Sequence, residues 1–373
     1  MNIGITCYPT YGGSGIVATE LGMELSSRGH DVHFITYANP IRLSEDLPRL
    51  HYHEVPISDY PLFQYPPYSL ALASRMAKTI ESEGLDLLHV HYAIPHSISA
   101  WLASHILGGA FPFVTTLHGT DVTLVGSDPS FLPITKLSIE QSPGTTTISR
   151  YLQQETQRVF STKKEIKVIP NFVNCDRYRP GVDVELRRQY ATPEEKLLIH
   201  VSNFRPVKRI LDCVRVLARV NEEIPSRLLM IGDGPDRVPA QELAQKLGVT
   251  DRVEFIGKQL FVAPLLAIAD VCLLPSEMEG FGLAALEAAA CGVPTVASNV
   301  GGLPELIDNG SNGFLVPVGD VEAMSAAALT LFKDEDQKRA FGEAARRSTE
   351  MRYSASRIIP QYEAYYEEVC CAN

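Results

Sequence analysis

Short apolar segments alternate with helix-like segments along almost the whole chain, and this alternation limits the fold more than any other feature of the sequence. The first half has predicted strands at residues 3–7, 31–36, 86–91, 113–117, 145–148 and 166–169, and helices at about 16–27 and 68–83. The second half has predicted strands at residues 197–201, 228–231, 253–256, 271–274 and 295–297, with helices between them. Strands that alternate with helices form parallel sheets with right-handed crossovers, so both halves are predicted to be α/β.

An irregular segment at residues 170–180 separates the two alternating halves. The chain has 373 residues, which is more than one hydrophobic core usually serves. We therefore predict an α/β fold of two Rossmann-like, doubly wound domains that face each other across a cleft. The predicted domains are residues 1–172 and 173–352, and residues 353–373 are predicted to form a helix that packs back toward the N-terminal domain.

Charge and cysteine content argue against several classes of function. A net charge of −11 disfavours nucleic acid as a partner, because a phosphate backbone attracts basic surfaces. The seven cysteines are scattered without the spacing of a zinc site. No apolar run approaches the length of about 18 residues that suggests a membrane-spanning helix. The N-terminus begins like a strand and lacks the basic start of a signal peptide, so we expect a cytoplasmic protein without membrane insertion.

The segment from Glu277 to Pro294 carries the strongest functional pattern. A short apolar strand precedes it, another follows it, and the Ala/Leu-rich part between them predicts a helix that begins near Gly282. Glu279 then lies in the loop before the helix, and Glu287 lies about two turns into it. The backbone N–H groups at the helix start favour an anion. The alternative is that both glutamates are solvated charges, but an unpartnered carboxylate in so apolar a context would be costly.

Two further loops follow predicted strands at the edge where ligands bind in such sheets. Residues 11–15 are rich in glycine, which allows the backbone to approach phosphate oxygens, although such a loop can also be a simple turn. It does not match the dinucleotide fingerprint G-x-G-x-x-G. Residues 202–209 include Arg205 and Lys208, whose charges could neutralise a diphosphate leaving group. The alternative for this loop is a solvated basic surface.

His118 follows the predicted strand at 113–117 and is a candidate to hydrogen-bond a ligand hydroxyl, although a lone histidine is more often structural. Asp121 either orients its imidazole or caps the following helix. His89, His91 and His96 allow a metal site as an alternative, but no carboxylate is near them in sequence, so no metal is expected. The loops at 232–236 and 255–258 either pack against a nucleotide base or are turns.

The Glu-x7-Glu pattern with Gly-Phe-Gly-Leu inside it resembles the donor site of the family 4 retaining glycosyltransferases, which have the GT-B fold. The resemblance extends over nearly the whole chain and is closest to one member. It is carried by residues 3–9, 12–21, 33–36, 89–96, 115–121 and 126–130. It implies transfer of N-acetylglucosamine from UDP-N-acetylglucosamine to the hydroxyl of L-malate, with retention and without a metal or other cofactor, as the first step of bacillithiol biosynthesis.

The resemblance also implies a role for each matching residue, with the N-terminal domain binding the acceptor and the C-terminal domain binding the nucleotide sugar. The implied catalytic residues are His118, Arg205, Lys208 and Glu279. The implied donor-binding residues are Gly13, Gly15, Asn171, Ser202, Lys258, Gly280, Phe281, Gly282, Leu283 and Glu287. The implied acceptor-binding residues are Ser14, Arg42, Tyr92, Thr116 and Arg150, where the two arginines are candidates for the carboxylates of malate.

Other functions stay open at this point. One is a family 4 transferase with another acceptor, such as a lipid or a sugar phosphate, although no basic, aromatic surface helix is found. Another is a non-catalytic nucleotide-sugar-binding protein, and a third is a UDP-sugar epimerase with a similar two-domain fold. No carboxylate stands out as a nucleophile, which suits a front-face mechanism, whereas an inverting enzyme needs a general base. A homodimer is compatible with the sequence.

Overall fold

The computed structural model describes residues 1–43, 47–57, 65–109 and 111–372. The chain forms two compact units. Unit 1 consists of Met1–Asn171 together with Ile358–Asn373, and unit 2 consists of Phe172–Arg357. Each unit contains one parallel sheet with helices, as the alternation of strands and helices predicted. The prediction of two Rossmann-like α/β halves is therefore confirmed.

Unit 1 has a seven-stranded sheet in the order β3-β2-β1-β4-β5-β6-β7. Its strands are β1 (Asn2–Thr6), β2 (Asp31–Thr36), β3 (Leu50–Glu54), β4 (Leu87–His91), β5 (Phe113–Leu117), β6 (Gly144–Thr147) and β7 (Lys167–Val168). Its first six helices are α1 (Gly13–Ser27), α2 (Tyr68–Glu83), α3 (Ile98–Ile106), α4 (Thr120–Thr123), α5 (Leu132–Gln141) and α6 (Arg150–Phe160). A π-helical turn, Ala93–Ser97, follows β4.

Unit 2 has a six-stranded sheet in the order β10-β9-β8-β11-β12-β13. Its strands are β8 (Lys196–Val201), β9 (Ser226–Ile231), β10 (Val253–Gly257), β11 (Val271–Leu274), β12 (Thr295–Ser298) and β13 (Gly313–Val316). Its helices are α7 (Val184–Arg188), α8 (Ile210–Asn221), α9 (Arg237–Lys246), α10 (Ala263–Ala267), α11 (Leu283–Ala290), α12 (Leu303–Leu306), α13 (Val321–Lys333) and α14 (Glu335–Arg352). Two 3-10 turns lie at Pro206–Lys208 and Thr250–Arg252.

The last helix, α15 (Ala355–Ala372), runs out of unit 2 and packs on unit 1. The Tyr366 hydroxyl lies 2.7 Å from Nδ1 of His89, in the middle of the unit 1 sheet. Glu363 forms a bidentate ion pair with Arg28, at 2.8 Å for both bonds, after the end of α1. Buried aromatic contacts and an ion pair therefore fix this helix to unit 1.

The central strands of both sheets are covered on both faces, which is why they read as apolar runs in the sequence. All five residues of β4 and all four of β11 are buried. Two strands were not predicted, β3 and β13, and both lie at a sheet edge. The residues of β3 are mostly exposed and polar, so their pattern does not differ from that of a loop. No helix in the described ranges is long and apolar enough to cross a membrane.

Each sheet reverses its strand order at one point, and this position matters for function. The reversal lies between β1 and β4 in unit 1 and between β8 and β11 in unit 2. Crossovers on either side of such a point lead to opposite faces, so a crevice forms beyond the carboxyl ends of the two central strands. The loops after these four strands are therefore the first places to look for a ligand site.

Candidate active site

In unit 2, the two loops at the reversal point bring together Lys208 and Glu279. Lys208 ends the 3-10 turn after β8, and Glu279 lies in the loop after β11. Lys208 Nζ is 2.6 Å from Glu279 Oε2, and the side chains are only 19% and 14% exposed. The backbone joins the same loops, because the Glu277 N–H donates to the Val207 carbonyl at 2.8 Å. A cation and a carboxylate are thus held side by side where a ligand is expected.

Two glycines that the sequence analysis did not single out shape the loop of Glu279. A Cβ on Gly301, which has a φ of +57°, would lie 1.9 Å from the Glu279 carbonyl oxygen. A Cβ on Gly302 would lie 2.4 Å from the Gly280 carbonyl oxygen, and the Gly302 N–H donates to the Glu279 backbone carbonyl at 3.0 Å. Only glycine permits so close an approach of two backbones. The backbone of residues 301–302 therefore packs directly against the backbone of residues 279–280 and holds the Glu279 loop in place.

The start of helix α11 has the predicted form. Gly282 adopts a left-handed φ of +99°, and the helix begins at Leu283. The first backbone N–H groups of a helix have no partner within the helix, so this terminus suits an anion. Phe281, however, is buried, and its ring packs edge-on against Tyr353 with centroids 5.5 Å apart. Its side chain anchors the loop, so only its backbone remains for the predicted contact with a ligand.

Glu287 lies on α11 and is almost fully buried. Its Oε1 accepts a hydrogen bond of 2.7 Å from the hydroxyl of Tyr178, which comes from the irregular segment before α7. Burying a carboxylate is costly unless hydrogen bonds compensate, and Tyr178 supplies one. The sequence analysis missed Tyr178, because 109 residues separate it from Glu287.

Ser202 lies in the predicted loop, and its hydroxyl hydrogen bonds to His200. His200 is buried, which lowers its pKa to about 4 and keeps the imidazole neutral. Its Nδ1 bonds the Leu273 carbonyl at 2.8 Å, so Nδ1 carries the hydrogen. Its Nε2 must then accept from the Ser202 hydroxyl, 2.7 Å away. The Ser202 hydroxyl therefore donates to His200, and its predicted role in donor binding stays a prediction.

The two other predicted basic residues of unit 2 are more exposed than Lys208. Arg205 is exposed at the start of the 3-10 turn and forms no ion pair with any residue that the structure describes. Lys258 is exposed just beyond β10. The structure thus places Lys208 against Glu279 and leaves Arg205 and Lys258 at the surface.

In unit 1, the loops after β1 and β4 meet at Ser14 and Tyr92. The Ser14 hydroxyl donates to the Tyr92 hydroxyl oxygen at 3.1 Å. Tyr92 has a φ of +88°, a conformation rare for a bulky residue, and its ring lies 5.4 Å from that of His118. Strained residues of this kind cluster at functional sites.

The two predicted glycines of the same loop differ in their surroundings. Gly13 is exposed in the first turn of α1. A Cβ on Gly15 would lie 2.3 Å from the Tyr8 carbonyl, so Gly15 is needed for packing.

His118 is oriented by another histidine. Its Nε2 lies 2.8 Å from Nδ1 of His91, and the two rings meet edge to edge with centroids 5.1 Å apart. Burial lowers the pKa of His118 to about 3. Asp121 bonds the backbone instead: Oδ1 accepts from the N–H groups of His118 at 3.0 Å and Gly119 at 2.9 Å. Asp121 lies inside α4 and accepts from N–H groups that precede the helix, so neither the cap interpretation nor the imidazole interpretation holds. Burial raises the pKa of Asp121 to about 6.

Thr116 does not have the surroundings expected of a residue that lines an acceptor pocket. It is fully buried in β5. Its hydroxyl lies 2.6 Å from Nε2 of His89 and 2.7 Å from the hydroxyl of Thr146. The side chain therefore connects neighbouring strands inside the sheet. The alternation of strand residues between the two faces was not enough to reveal this, because both faces of the sheet are covered.

The remaining predicted residues of unit 1 differ in exposure. The Arg42 side chain is 5% exposed, with Nη1 at 3.9 Å from Glu20 Oε1 of α1. Arg150 is exposed and is the first residue of α6. Asn171 is buried, and its Oδ1 is among the buried atoms that have no hydrogen-bond partner in the described chain. The predicted donor-binding role of Asn171 stays a prediction.

The three histidines of the metal alternative are engaged with other groups. His89 bonds Tyr366 and Thr116, His91 bonds His118, and Nδ1 of His96 bonds the His91 carbonyl. Over residues 1–43, 47–57, 65–109 and 111–372, no group of three or more His, Cys, Asp or Glu side chains is arranged to hold a metal ion.

Comparison with known proteins gives a consistent result. The model of a family described as glycosyltransferase family 4 matches residues 11–177, and that of glycosyl transferases group 1 matches residues 183–348. The chain is similar to N-acetyl-alpha-D-glucosaminyl L-malate synthase of Bacillus anthracis, with 47% identity over 99% of this chain and 97% of that protein.

Two solved structures cover the chain almost completely. Sucrose-phosphate synthase from Thermosynechococcus elongatus has a TM-score of 0.82 at 24% identity and covers 100% of both chains. HepE from Anabaena, in complex with UDP-glucose, has a TM-score of 0.83 at 21% identity and covers 99% of this chain and 100% of that one. At this level of identity, the likeness concerns the fold alone.

Proposed function

This chain belongs to glycosyltransferase family 4, and on that premise we propose that it transfers N-acetylglucosamine from UDP-N-acetylglucosamine to the hydroxyl of L-malate. Its two parallel-sheet units have the GT-B fold. The products would be N-acetylglucosaminyl malate and UDP, in the first step of bacillithiol biosynthesis. The observation that carries the proposal is the similarity, over almost the full length, to a protein named for this reaction.

Unit 2 is proposed to bind the nucleotide sugar. The N–H groups from Gly280 to Leu283 open α11 and suit the diphosphate. Glu287, held by Tyr178, is proposed to accept hydrogen bonds from the ribose hydroxyls. Lys208, paired with Glu279, is proposed to neutralise the β-phosphate as it leaves. The proposal needs no metal, because an ammonium group and helix N–H groups can supply the positive charge that the leaving group requires.

Unit 1 is proposed to bind the acceptor. Ser14 and Tyr92 place two hydroxyl groups 3.1 Å apart at the reversal point of the sheet. Malate carries two carboxylates, which arginine recognises best. Arg42 is buried and already lies near Glu20, so that its charge is partly balanced. Arg150, exposed at the start of α6, is the second candidate for a carboxylate.

We propose that transfer occurs with retention at the anomeric carbon. The bond from the anomeric carbon to the β-phosphate oxygen breaks, and a bond to the malate hydroxyl oxygen forms on the same face. The proton of that hydroxyl passes to the departing phosphate oxygen, so no protein base is needed. The pairing of Glu279 with Lys208 supports this route, because a carboxylate held 2.6 Å from an ammonium group is a weaker nucleophile.

The test is release of UDP by the purified protein from UDP-N-acetylglucosamine, with and without L-malate. We expect UDP to appear only when L-malate is present, and the product to carry an α-linkage by NMR. Succinate, which has the carboxylates but no hydroxyl, is the matched control and should give no product. Turnover with a different acceptor but not with L-malate would show that L-malate is not the acceptor, while the protein would still be a glycosyltransferase. Binding of UDP-N-acetylglucosamine without turnover on any acceptor would favour a binding protein.

A further inference from the structure

His91 and His118 share one hydrogen bond between ring nitrogens. Its hydrogen is carried either by His91 or by His118, and the two arrangements have different consequences. Nδ1 of His91 and Nε2 of His118 are 2.8 Å apart, so one of them donates and the other accepts. Burial lowers the pKa of both rings far below neutrality, so both are uncharged and each carries a single N–H. The donor in this contact therefore decides which nitrogen of His118 keeps a proton.

The surroundings of His91 favour one of the two arrangements. Nε2 of His91 is buried and has no hydrogen-bond partner among the described residues. If His118 donated, His91 would carry its hydrogen on this Nε2, as a buried N–H without an acceptor. If His91 donates from Nδ1, the same Nε2 is a bare lone pair. Buried donors without partners are rarer in proteins than unsatisfied acceptors, so the second arrangement costs less.

The ring of His91 is also held in place. It is fully buried and stacks on His89 with centroids 4.4 Å apart, while its Nδ1 edge meets His118. The imidazole of His96 bonds the His91 carbonyl, which ties the backbone at the end of β4. A ring flip, which would put Cδ2 in the place of Nδ1 at this contact, would have to break this packing. The direction of the hydrogen bond is therefore set by the fold.

We propose that His91 is a positioning residue that donates to Nε2 of His118 and thereby keeps the His118 proton on Nδ1. Nδ1 of His118 makes no hydrogen bond within the described chain. It can therefore donate to a hydroxyl oxygen of the donor sugar, whereas the other tautomer could only accept. This role of His118 toward the sugar rests on the proposed function. The tautomer itself does not depend on the identity of the acceptor.

The first test reads the tautomer directly. The protein contains ten histidines, and labelling them with 15N gives a resolvable set of imidazole signals. The signals of His118 are assigned by their loss in His118→Gln. We expect wild-type protein at neutral pH, without substrate, to show His118 protonated at Nδ1 and unprotonated at Nε2. Protonation at Nε2 would overturn the proposal, whatever the kinetics show and whichever acceptor the enzyme uses.

The second test uses two substitutions of His91. His91→Leu removes the N–H donor, and we expect it to lower kcat/KM for UDP-N-acetylglucosamine by about tenfold, which corresponds to one hydrogen bond. The Kd for UDP, which has no sugar, should change less than about twofold. His91→Asn keeps an amide N–H near the position of Nδ1 and should restore kcat/KM to within about threefold of wild type. Equal losses in UDP affinity and in kcat/KM would mean general damage and would overturn the proposal.

A matched control exists on another strand of the same sheet. His33 is buried in β2, and its Nδ1 lies 2.9 Å from Nε2 of His53, the same pair of atoms as in the His91 contact. His33→Leu therefore removes an equivalent bond and should leave the His118 signals and the donor kinetics unchanged. If His33→Leu and His91→Leu reduce kcat/KM alike, the effect is one of stability and the proposal fails. If His91→Leu does not fold, the wild-type spectrum decides alone.

Discussion

The ammonium group of Lys208 lies 2.6 Å from the carboxylate of Glu279, although 71 residues separate them in the sequence. The two residues come from the loops after β8 and β11, the strands between which the unit 2 sheet reverses its order. Water is largely excluded from the pair, so the interaction between the charges is stronger than at a surface. The pair therefore defines the electrostatic centre of the proposed donor site.

Substitution of Lys208 by alanine should reduce kcat by roughly two to three orders of magnitude, because the charge that stabilises the departing UDP is lost. Lys208→Arg keeps the charge and should retain more activity. Steady-state UDP release measures both variants. Lys333→Ala is the control, since Lys333 forms an exposed ion pair with Glu223 in the same unit. A Lys208→Ala enzyme with a near-normal rate would show that the leaving group is stabilised elsewhere.

Removing the hydroxyl of Tyr178 should weaken binding of UDP. Tyr178→Phe deletes the 2.7 Å bond to Glu287 and leaves a buried carboxylate oxygen to find another partner. We expect the Kd for UDP, measured by calorimetry, to rise by roughly three- to tenfold. Tyr190→Phe in the same unit is the control, because no hydrogen bond of its hydroxyl is found in the described chain. An unchanged Kd for Tyr178→Phe would show that the hydrogen bond between Tyr178 and Glu287 does not contribute to nucleotide binding.

Alanine at Gly301 should disrupt the Glu279 loop. The added Cβ would meet the Glu279 carbonyl oxygen at 1.9 Å, so the backbone must move and carry Glu279 with it. We expect kcat/KM for the donor to fall by more than about tenfold, since small displacements of catalytic groups are costly.

The matched control for this substitution is Gly310→Ala. Gly310 also has a positive φ, +78°, but a Cβ there would meet no atom within 4 Å. Both variants therefore carry backbone strain, which a thermal unfolding midpoint measures, and only Gly301→Ala carries the clash. Equal activity of the two variants would show that the loop does not need its present position.

Acid should destabilise the folded protein below pH 6.5. Burial lowers the pKa of His89 and His118 to about 3 and of His96 to about 4, and lowers that of His91 as well. An unfolded chain binds protons at these positions near pH 6.5, whereas the folded chain does not. The unfolded state thus binds more protons, and stability is lost as pH falls from about 6.5 toward 4. Asp121, with its pKa raised to about 6, acts in the opposite sense.

Thermal unfolding midpoints between pH 7 and pH 4.5 measure this effect. We expect the midpoint to fall steadily over that range, because these four histidines, together with His200, outweigh one carboxyl group. His89→Gln should flatten the slope, since one of the groups that takes up a proton on unfolding is removed. A midpoint that is constant or rises toward pH 4.5 would contradict the burial of these imidazoles.

Local patterns in the sequence were enough for the central elements. The helix at Tyr68–Glu83 and the strands at Asp31–Thr36, Phe113–Leu117 and Val271–Leu274 have the predicted bounds. In each case, an apolar pattern ends at polar, glycine or proline residues because the chain leaves the core there. The edge strand β3 carries no such pattern, since its residues are mostly exposed.

The sequence by itself determined the alternation of strands and helices and the placement of Glu279 and Glu287 around a helix start, because neighbouring residues impose these features through backbone geometry and burial. Only the tertiary structure decided which groups those side chains and histidines meet. Tyr178 reaches Glu287, Lys208 reaches Glu279, and His91 reaches His118 across different elements of the chain. A hydrogen bond between residues distant in sequence requires no periodic pattern in either segment. Its partners, and the proton that they share, become visible only when the sheets bring the strand ends together.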